Sequence, residues 1–195
     1  MNGSATVVRS GCMAKDADMI LSEFILLGIG GKELSEENAA QTAKALNIIQ
    51  PDFIRVHATG IKLESKLGEF VRDGSFTLQS EEEIVIEQKL FLQQLHEMDS
   101  YYVNEHIVNL LLEVRGNLRT EKQEMLFTTD RFLTLPPDER LLFTVGRRLN
   151  IFFRLDDLKK PKLHQKAGES LQQILSKNPH VDFAALCNYV RQSQI

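Results

Sequence analysis

Three glycines that follow an apolar run are the residues in this sequence best placed to bind a ligand. The run Phe24–Leu27 leads directly into Gly28, Gly30 and Gly31, and a helical pattern begins soon afterwards. A buried parallel strand that enters a glycine loop and then a helix is a common ligand-binding arrangement. Glycines let the backbone approach a ligand, and the helix N-terminus offers free N–H groups. The spacing matches neither G-x-G-x-x-G nor a P-loop, so a plain tight turn is the alternative interpretation.

A second candidate site lies on the next strand, where polar and apolar side chains alternate. Within Phe53–Ala58, the apolar Ile54 and Val56 can face helices, while Arg55 and His57 point to the opposite face. Parallel strands that are covered on both faces are usually apolar throughout, so these two residues need a polar cavity or partners. A barrel lumen that holds a polar ligand would supply that cavity. A strand near a sheet edge, with its polar face in water, is the alternative.

A third polar cluster follows the third strand pattern and contains Asn104, Glu105, His106 and Asn109. His106 has the chemistry of a metal ligand or an acid–base group. No second ligand stands four residues away, so we expect a turn or capping role for it. The sequence shows no nucleophile with a base, no carboxylate pair at glycosidase spacing and no zinc motif.

The two cysteines, Cys12 and Cys187, lie far apart in the sequence and neither belongs to a C-x-x-C motif. They therefore provide no disulfide framework and no iron–sulfur or zinc cassette. Cys187 shares an apolar helix face with Phe183, Leu186 and Val190, which predicts a buried packing thiol. For Cys12 we expect a lone exposed thiol.

The elements that must position the first two sites form a β-α-β unit. Residues 23–28 are predicted as a strand, a helix capped by Ser35 runs up to Pro51, and a second strand follows at 53–57. Residues 59–79 are predicted as a long loop with one helical turn. Loops of this length in compact domains are usually functional or mobile.

The rest of the chain is predicted to become helical. Ser80 and Glu83 form a capping box that opens an amphipathic helix, and a short third strand follows at 101–104. A second capping box at 120–123 opens the helical part. We therefore predict an α/β fold, namely a partial parallel (β/α) barrel fragment of about three strands, followed by an all-helical C-terminal region.

Composition excludes several classes of protein. The 195 residues are 43% hydrophobic and 26% charged, with a net charge of -4, which is ordinary for a globular protein. The basic residues are scattered, so we expect no nucleic-acid partner. No apolar stretch is long enough to span a bilayer and no secretory signal is present, so we expect no membrane partner and a cytoplasmic location.

The order of these pieces resembles the C-terminal half of bacterial radical S-adenosylmethionine (radical SAM) proteins. The similar branch lies near oxygen-independent coproporphyrinogen oxidase and the Elongator-type catalytic subunits. The resemblance covers about residues 14–135 and rests on four stretches: SEFILLGIGGKE at 22–33, TAKALN at 42–47, PDFIRV at 51–56 and NEHIVN at 104–109.

The resemblance implies a partial (β/α)6 barrel and a [4Fe–4S] cluster held by a C-x3-C-x2-C motif after the first strand. The cluster reduces S-adenosylmethionine to methionine and a 5′-deoxyadenosyl radical, which abstracts hydrogen from a substrate. By this resemblance Gly28, Gly30 and Gly31 lie beside the adenosyl group, and Arg55 and His57 line the next strand near it.

The sequence departs from the family pattern in two places. The cluster-binding cysteines and the first strands are absent, and Thr59–Ser65 replaces the usual Pro-Gly-Thr turn. Without three clustered thiolates the chain alone cannot hold the cluster, so we expect it to be inactive by itself. Residues 1–115 then correspond to the C-terminal portion of the barrel, and residues 116–195 to a helical appendage.

These observations favour a truncated or split half of a radical SAM enzyme that contributes part of the S-adenosylmethionine pocket. A separate chain would supply the cluster-binding half barrel and dock at the exposed edge of the first strand. That edge also predicts self-association. The alternative is a non-catalytic small-molecule-binding or scaffold module that retains the fold.

Overall fold

The computed structural model describes residues 3–194, in which strands and helices alternate before a helical C-terminal region. The elements are α1 (Gly3–Asp16), β1 (Ser22–Leu27), α2 (Ser35–Ile49), β2 (Phe53–Ala58), α3 (Lys66–Asp73), α4 (Glu81–Gln94), β3 (Tyr101–Val103), β4 (Gly116–Asn117), α5 (Lys122–Leu133), α6 (Pro137–Arg148), a 3₁₀ helix (Leu155–Lys159), α7 (Pro161–Lys177) and α8 (Phe183–Gln192).

The four strands form one open sheet in the order β1-β2-β3-β4. β1, β2 and β3 run parallel, and only the two-residue β4 is antiparallel to its neighbour. The predicted α/β class, the three parallel strands and the helical C-terminal region are therefore confirmed. β4 was not predicted, because its two residues carry no apolar pattern and are defined as a strand by their pairing with β3.

One face of the sheet carries the hydrophobic core. Ile25, Leu27, Ile54, Val56 and Tyr102 are buried on this face. The helices α2 and α4 pack on β1 and on each other, and thereby cover it. The period-two alternation of the strands places every second residue in this core.

The other face of the sheet is left largely uncovered by residues 3–194. The register pairs Phe24 with Arg55 and Leu26 with His57, so all four side chains share this face. Phe24 is 64% exposed and Leu26 is 45% exposed. Because parallel sheets are normally covered on both faces, this one-sided cover is unusual.

Of the three predicted helix N-caps, one is confirmed. At α4, Ser80 accepts from the N–H of Glu83 and the Glu83 carboxylate accepts from the N–H of Ser80, which confirms the predicted capping box. The cap predicted at Ser35 is wrong, because its hydroxyl donates to Glu87 instead, at 2.8 Å. The box predicted at 120–123 is also wrong, because α5 begins after Glu121 without a side-chain cap.

Two helices are longer than the sequence pattern indicates. α3 occupies eight residues of the predicted loop, and Ser65 caps it by accepting from the N–H of Gly68 at 3.1 Å. α1 is a full helix, although its sequence reads only weakly as a helix end, at Ala14–Ala17. It packs on α2, and Gly11 comes so close that an added Cβ would lie 2.7 Å from Ile49 Cγ2. Tertiary packing therefore stabilises a segment whose own helical pattern is weak.

One buried carboxylate connects the helical C-terminal region to the sheet region. Glu81, at the start of α4, accepts from Arg148 of α6 at 3.0 and 2.5 Å and also from Arg191 of α8. All three side chains are buried. Burial raises the pKa of Glu81, but the charges of Arg148 and Arg191 outweigh it and hold that pKa below its ordinary value.

None of the helices in residues 3–194 combines the length and the apolar character that a membrane span requires.

Candidate functional site

The glycine loop leaves the C-terminal end of β1 in a tightly folded path. Gly28 has φ +82° and Gly31 has φ +63°, a region that disfavours residues with a Cβ. A Cβ at Gly31 would also lie 3.0 Å from the Thr77 carbonyl oxygen, and a Cβ at Gly30 would lie 3.0 Å from the Leu34 carbonyl oxygen. Each glycine therefore has a local structural reason. A ligand contact by this loop stays a prediction.

A buried carboxylate beneath the loop organises its entry. Glu87 of α4 accepts from the N–H of Gly28 at 3.1 Å, from the Ser35 hydroxyl at 2.8 Å and from the Asn38 amide at 2.8 Å. Glu87 itself is fully buried. Glu87 was not among the predicted site residues. Its position in the apolar stripe of α4 could have identified it, because a buried carboxylate needs several hydrogen-bond donors.

Arg55 lies on the uncovered face of the sheet between two aromatic rings. Its Nε donates to the Ser22 hydroxyl at 3.0 Å. Its Cζ lies 5.9 Å from the Phe24 ring centroid and 5.8 Å from that of Phe53. Both distances are within the range of cation–π attraction, which favours a guanidinium held flat against the sheet.

His57 lies two residues further along β2, on the same face. Its ring meets Phe24 edge-on at 5.6 Å and lies 4.3 Å from the ring of His106, with an interplanar angle of 34°. Burial lowers the pKa of His57, and the positive charges of His106 and Arg55 lower it further. The sequence analysis placed His57 on this face correctly, but it did not pair it with His106.

His106 is positioned by a segment that asparagine side chains fasten to β2. The Asn109 amide accepts from the N–H of Ala58 at 2.7 Å and donates to the Val56 carbonyl at 2.6 Å. It also donates to the Asn104 side chain at 2.7 Å. The N–H of Val108 donates to His106 Nδ1 at 3.4 Å. These contacts fit the turn role expected for His106. The contact of its ring with His57 was not predicted.

Arg147 supports the same segment from below. Its Nη2 donates to the carbonyl oxygens of Ile107 and Asn109 at 3.0 and 3.2 Å, while Nε and Nη1 find no partner among the described residues. Burial, with the neighbouring charge of Arg148, lowers the pKa of Arg147 to about 10. A salt bridge is the ordinary role of a buried arginine. Arg148 forms one with Glu81, but Arg147 forms none within residues 3–194.

The glycine loop begins at the end of the sheet near which His57 lies. β1 and β2 end in register, and the N–H of Thr59 donates to the Leu27 carbonyl at 2.8 Å, so the glycine loop begins beside the end of β2. Ligands of open parallel sheets bind at this C-terminal end of the strands. Arg55 and His57 lie on the uncovered face. A Cβ added at Gly28 or Gly31 would instead point into the protein, towards Ile84 or Thr77.

The residues of this chain do not fit an iron–sulfur cluster. Cys12 lies on α1, and Cys187 is buried on α8. Nowhere in residues 3–194 do three histidine, cysteine or acidic side chains gather in a way that could hold a metal ion. The pKa of Cys187 is raised to about 12, chiefly by burial. Cys187 is therefore protonated near neutral pH, whereas a metal ligand must be a thiolate.

Comparison with protein-family models, with curated proteins and with solved structures finds no match for this chain.

Proposed function

We propose that this chain forms one wall of an S-adenosylmethionine pocket in a radical SAM enzyme. The resemblance of residues 22–56 to that family motivates the proposal. Its cluster-binding cysteines would have to come from outside these 195 residues, either from another polypeptide or from a continuation of the same one. The chain contributes Gly28, Gly30 and Gly31 to the pocket, together with Arg55 and His57.

The observation that carries the proposal is the one-sided cover of the parallel sheet. In a (β/α) barrel the helices lie outside, and the second face of the sheet lines the lumen. Here α2 and α4 cover one face, while the face that carries Arg55 and His57 is exposed or half-buried. A polar lumen face needs no helices to cover it, so an incomplete barrel accounts for both the missing layer and the polar residues.

The position of β1 supports the same interpretation. β1 is an edge strand, and it carries the exposed side chains of Phe24 and Leu26. A further parallel strand added at this edge would extend the sheet towards a barrel and would shield part of this apolar surface. We propose the cluster-bearing half barrel as the partner at this edge. Self-association at the same edge is the competing outcome.

The direct test is a titration with S-adenosylmethionine, monitored by backbone amide chemical shifts. We expect the perturbed amides to lie within 28–33 and 53–57. The affinity should be no better than about 1 mM, or about 4 kcal/mol, because the cluster that anchors the methionine end is absent. Arg55→Gln should weaken binding without loss of the fold. Arg119→Gln is the matched control, because Arg119 pairs with Asp99 near the start of β3.

Two outcomes would overturn the proposal. The perturbed amides could avoid both segments, or Arg55→Gln could bind as tightly as Arg119→Gln. A second candidate, a scaffold or small-molecule-binding module without catalysis, would then be favoured. The observation on its side is the packing of the glycine loop against Thr77, which gives the glycines a purely structural role.

A further inference from the structure

We propose that Arg55, His57 and His106 form a binding site for an anionic oxygen group, a carboxylate or a phosphate, on the substrate of this protein. The inference rests on the proposed function, because it places the substrate in the same lumen as S-adenosylmethionine. It goes further by naming the chemical class of the substrate and by adding His106 to the site.

The uncovered face of the sheet carries positive and aromatic groups and no carboxylate. The side chains that β1, β2 and β3 project to this face are Ser22, Phe24, Leu26, Phe53, Arg55, His57, Tyr101 and Val103. Arg55, His57 and Tyr101 are the titratable residues among them. Glu23, the only acidic residue within β1 and β2, alternates onto the opposite face. An anion that reaches this surface therefore meets no like charge from the strands.

Arg55 has capacity for a further partner. Within residues 3–194 its guanidinium donates through Nε to Ser22 and forms no ion pair with a carboxylate. The two Nη groups of an arginine present parallel N–H bonds that match a carboxylate or phosphate. The rings of Phe24 and Phe53 both attract the guanidinium and restrict its motion. An arginine fixed in this way loses little entropy when it binds an anion.

The two histidines add hydrogen-bonding groups beside Arg55. Their ring centroids are 4.3 Å apart, and His106 Nδ1 accepts from the N–H of Val108. In neutral His106 this contact assigns the ring proton to Nε2, which is then a donor. The carboxylate closest to His106 in sequence, Glu105, is engaged with Arg115. The segment that carries His106 thus adds donors to the cluster while its own acidic residue is occupied elsewhere.

Proton binding and anion binding should be linked at this site. Burial foremost, and then the charges of His106 and Arg55, oppose a proton on His57 and lower its pKa. An anion between them would offset the repulsion and favour the charged rings. Anion affinity should therefore rise as the pH falls through the histidine range. The apolar side chains Phe24 and Leu26 beside the cluster suit a substrate with an apolar body.

The test follows the ring Hε1 resonances of all histidines against pH, with and without inorganic phosphate or benzoate, at constant ionic strength. We expect either anion to raise the titration midpoints of His57 and His106. The exposed His96 and His180 report any general salt effect. Arg55→Gln should weaken anion binding about tenfold, as the loss of a charge-assisted bidentate contact predicts. Arg119→Gln, the matched control, should stay within about twofold, because its exposed ion pair with Asp99 lies away from the cluster.

The outcomes separate the possible substrates and the two proposals. A response to phosphate alone identifies a phosphate group, and a response to benzoate alone identifies a carboxylate. Unchanged midpoints for His57 and His106, or equal weakening by Arg55→Gln and Arg119→Gln, would overturn the inference. The titration with S-adenosylmethionine uses a different readout, the backbone amides. Perturbed amides at 28–33 without an anion response would leave the proposed function standing and remove the anionic substrate.

Discussion

Replacing Glu81 with glutamine should destabilise the whole chain, because this carboxylate neutralises two buried arginines. Glu81, Arg148 and Arg191 are each at most 3% exposed in their side chains. Glu81→Gln keeps the shape of the side chain and one acceptor oxygen, but it removes the charge. Both guanidinium groups would then remain buried without a counterion, beside Arg147, which has no carboxylate partner within residues 3–194.

The magnitude follows from the usual cost of breaking a buried ion pair, about 3–5 kcal/mol. Taking about 4 kcal/mol, we expect the thermal midpoint to fall by about 8–16 °C for a chain of this size. The urea midpoint should fall by about 2 M, at an m-value near 2 kcal/mol per M. Arg191→Met should cost less, because Glu81 then keeps its two contacts with Arg148.

The control is the neighbouring residue of the same helix turn. Glu82 pairs with Arg140 at 3.0 Å, but its side chain is 43% exposed. Solvent screens such a pair, so Glu82→Gln should change the free energy of unfolding by at most about 1 kcal/mol. Urea denaturation of the three variants, followed by circular dichroism, measures the difference. A loss below about 1 kcal/mol for Glu81→Gln, or equal losses at both positions, would refute the reasoning.

The pH dependence gives a second check with a definite sign. The pKa of Glu81 is held below its ordinary value in the folded chain, so the unfolded chain binds the proton more tightly. The stabilisation is therefore fully present above the unfolded pKa, about 4.3, and is lost as the pH falls through the folded value. The wild-type advantage over Glu81→Gln should be constant near neutral pH and should shrink in acid.

Three further predictions concern other parts of the chain. Gly31→Ala should cost more than Gly74→Ala in thermal unfolding, by about 1–2 kcal/mol, because both glycines have positive φ but only Gly31 lies against a carbonyl oxygen. In native protein a thiol reagent should modify Cys12 before Cys187, whose pKa burial raises to about 12; equal rates would contradict the packing. Phe24→Lys should reduce concentration-dependent association in light scattering, since Phe24 is exposed on the edge strand, and an unchanged particle size would exclude that edge as the contact.

The features that the sequence predicted are those that depend on short-range patterns. The alternation of Ile54 and Val56 with Arg55 and His57 fixed the two faces of β2, because the period of a strand is two residues. The capping box at Ser80 was right for a similar reason, since both of its hydrogen bonds lie within one helical turn.

The missed features depend on contacts between distant parts of the chain. His57 and His106 come into contact because the hydrogen bonds of the Asn109 side chain hold the segment that carries His106 against β2. The role of Glu87 requires the glycine loop to lie over α4. No local pattern carries that information, although a carboxylate in an apolar stripe marks a position that must find donors.

The Asn109 side chain has a further consequence, which concerns the direction in which copies or partners can add strands. β3 pairs only with the first half of β2, and Asn109 occupies the Val56 carbonyl and the Ala58 N–H beyond it. At the far edge, β4 is two residues long and the N–H of Asn117 donates to Glu121.

Within residues 3–194, the six-residue β1 is then the long edge left for strand addition, where Asn38 occupies one carbonyl, that of Leu26. An open filament forms when each subunit uses two different surfaces, which for strand addition means two open edges. A chain with a single receptive edge can close a pair or accept one neighbour, but it cannot propagate. Asn109 and the short β4 thus limit strand addition at this sheet to one neighbour.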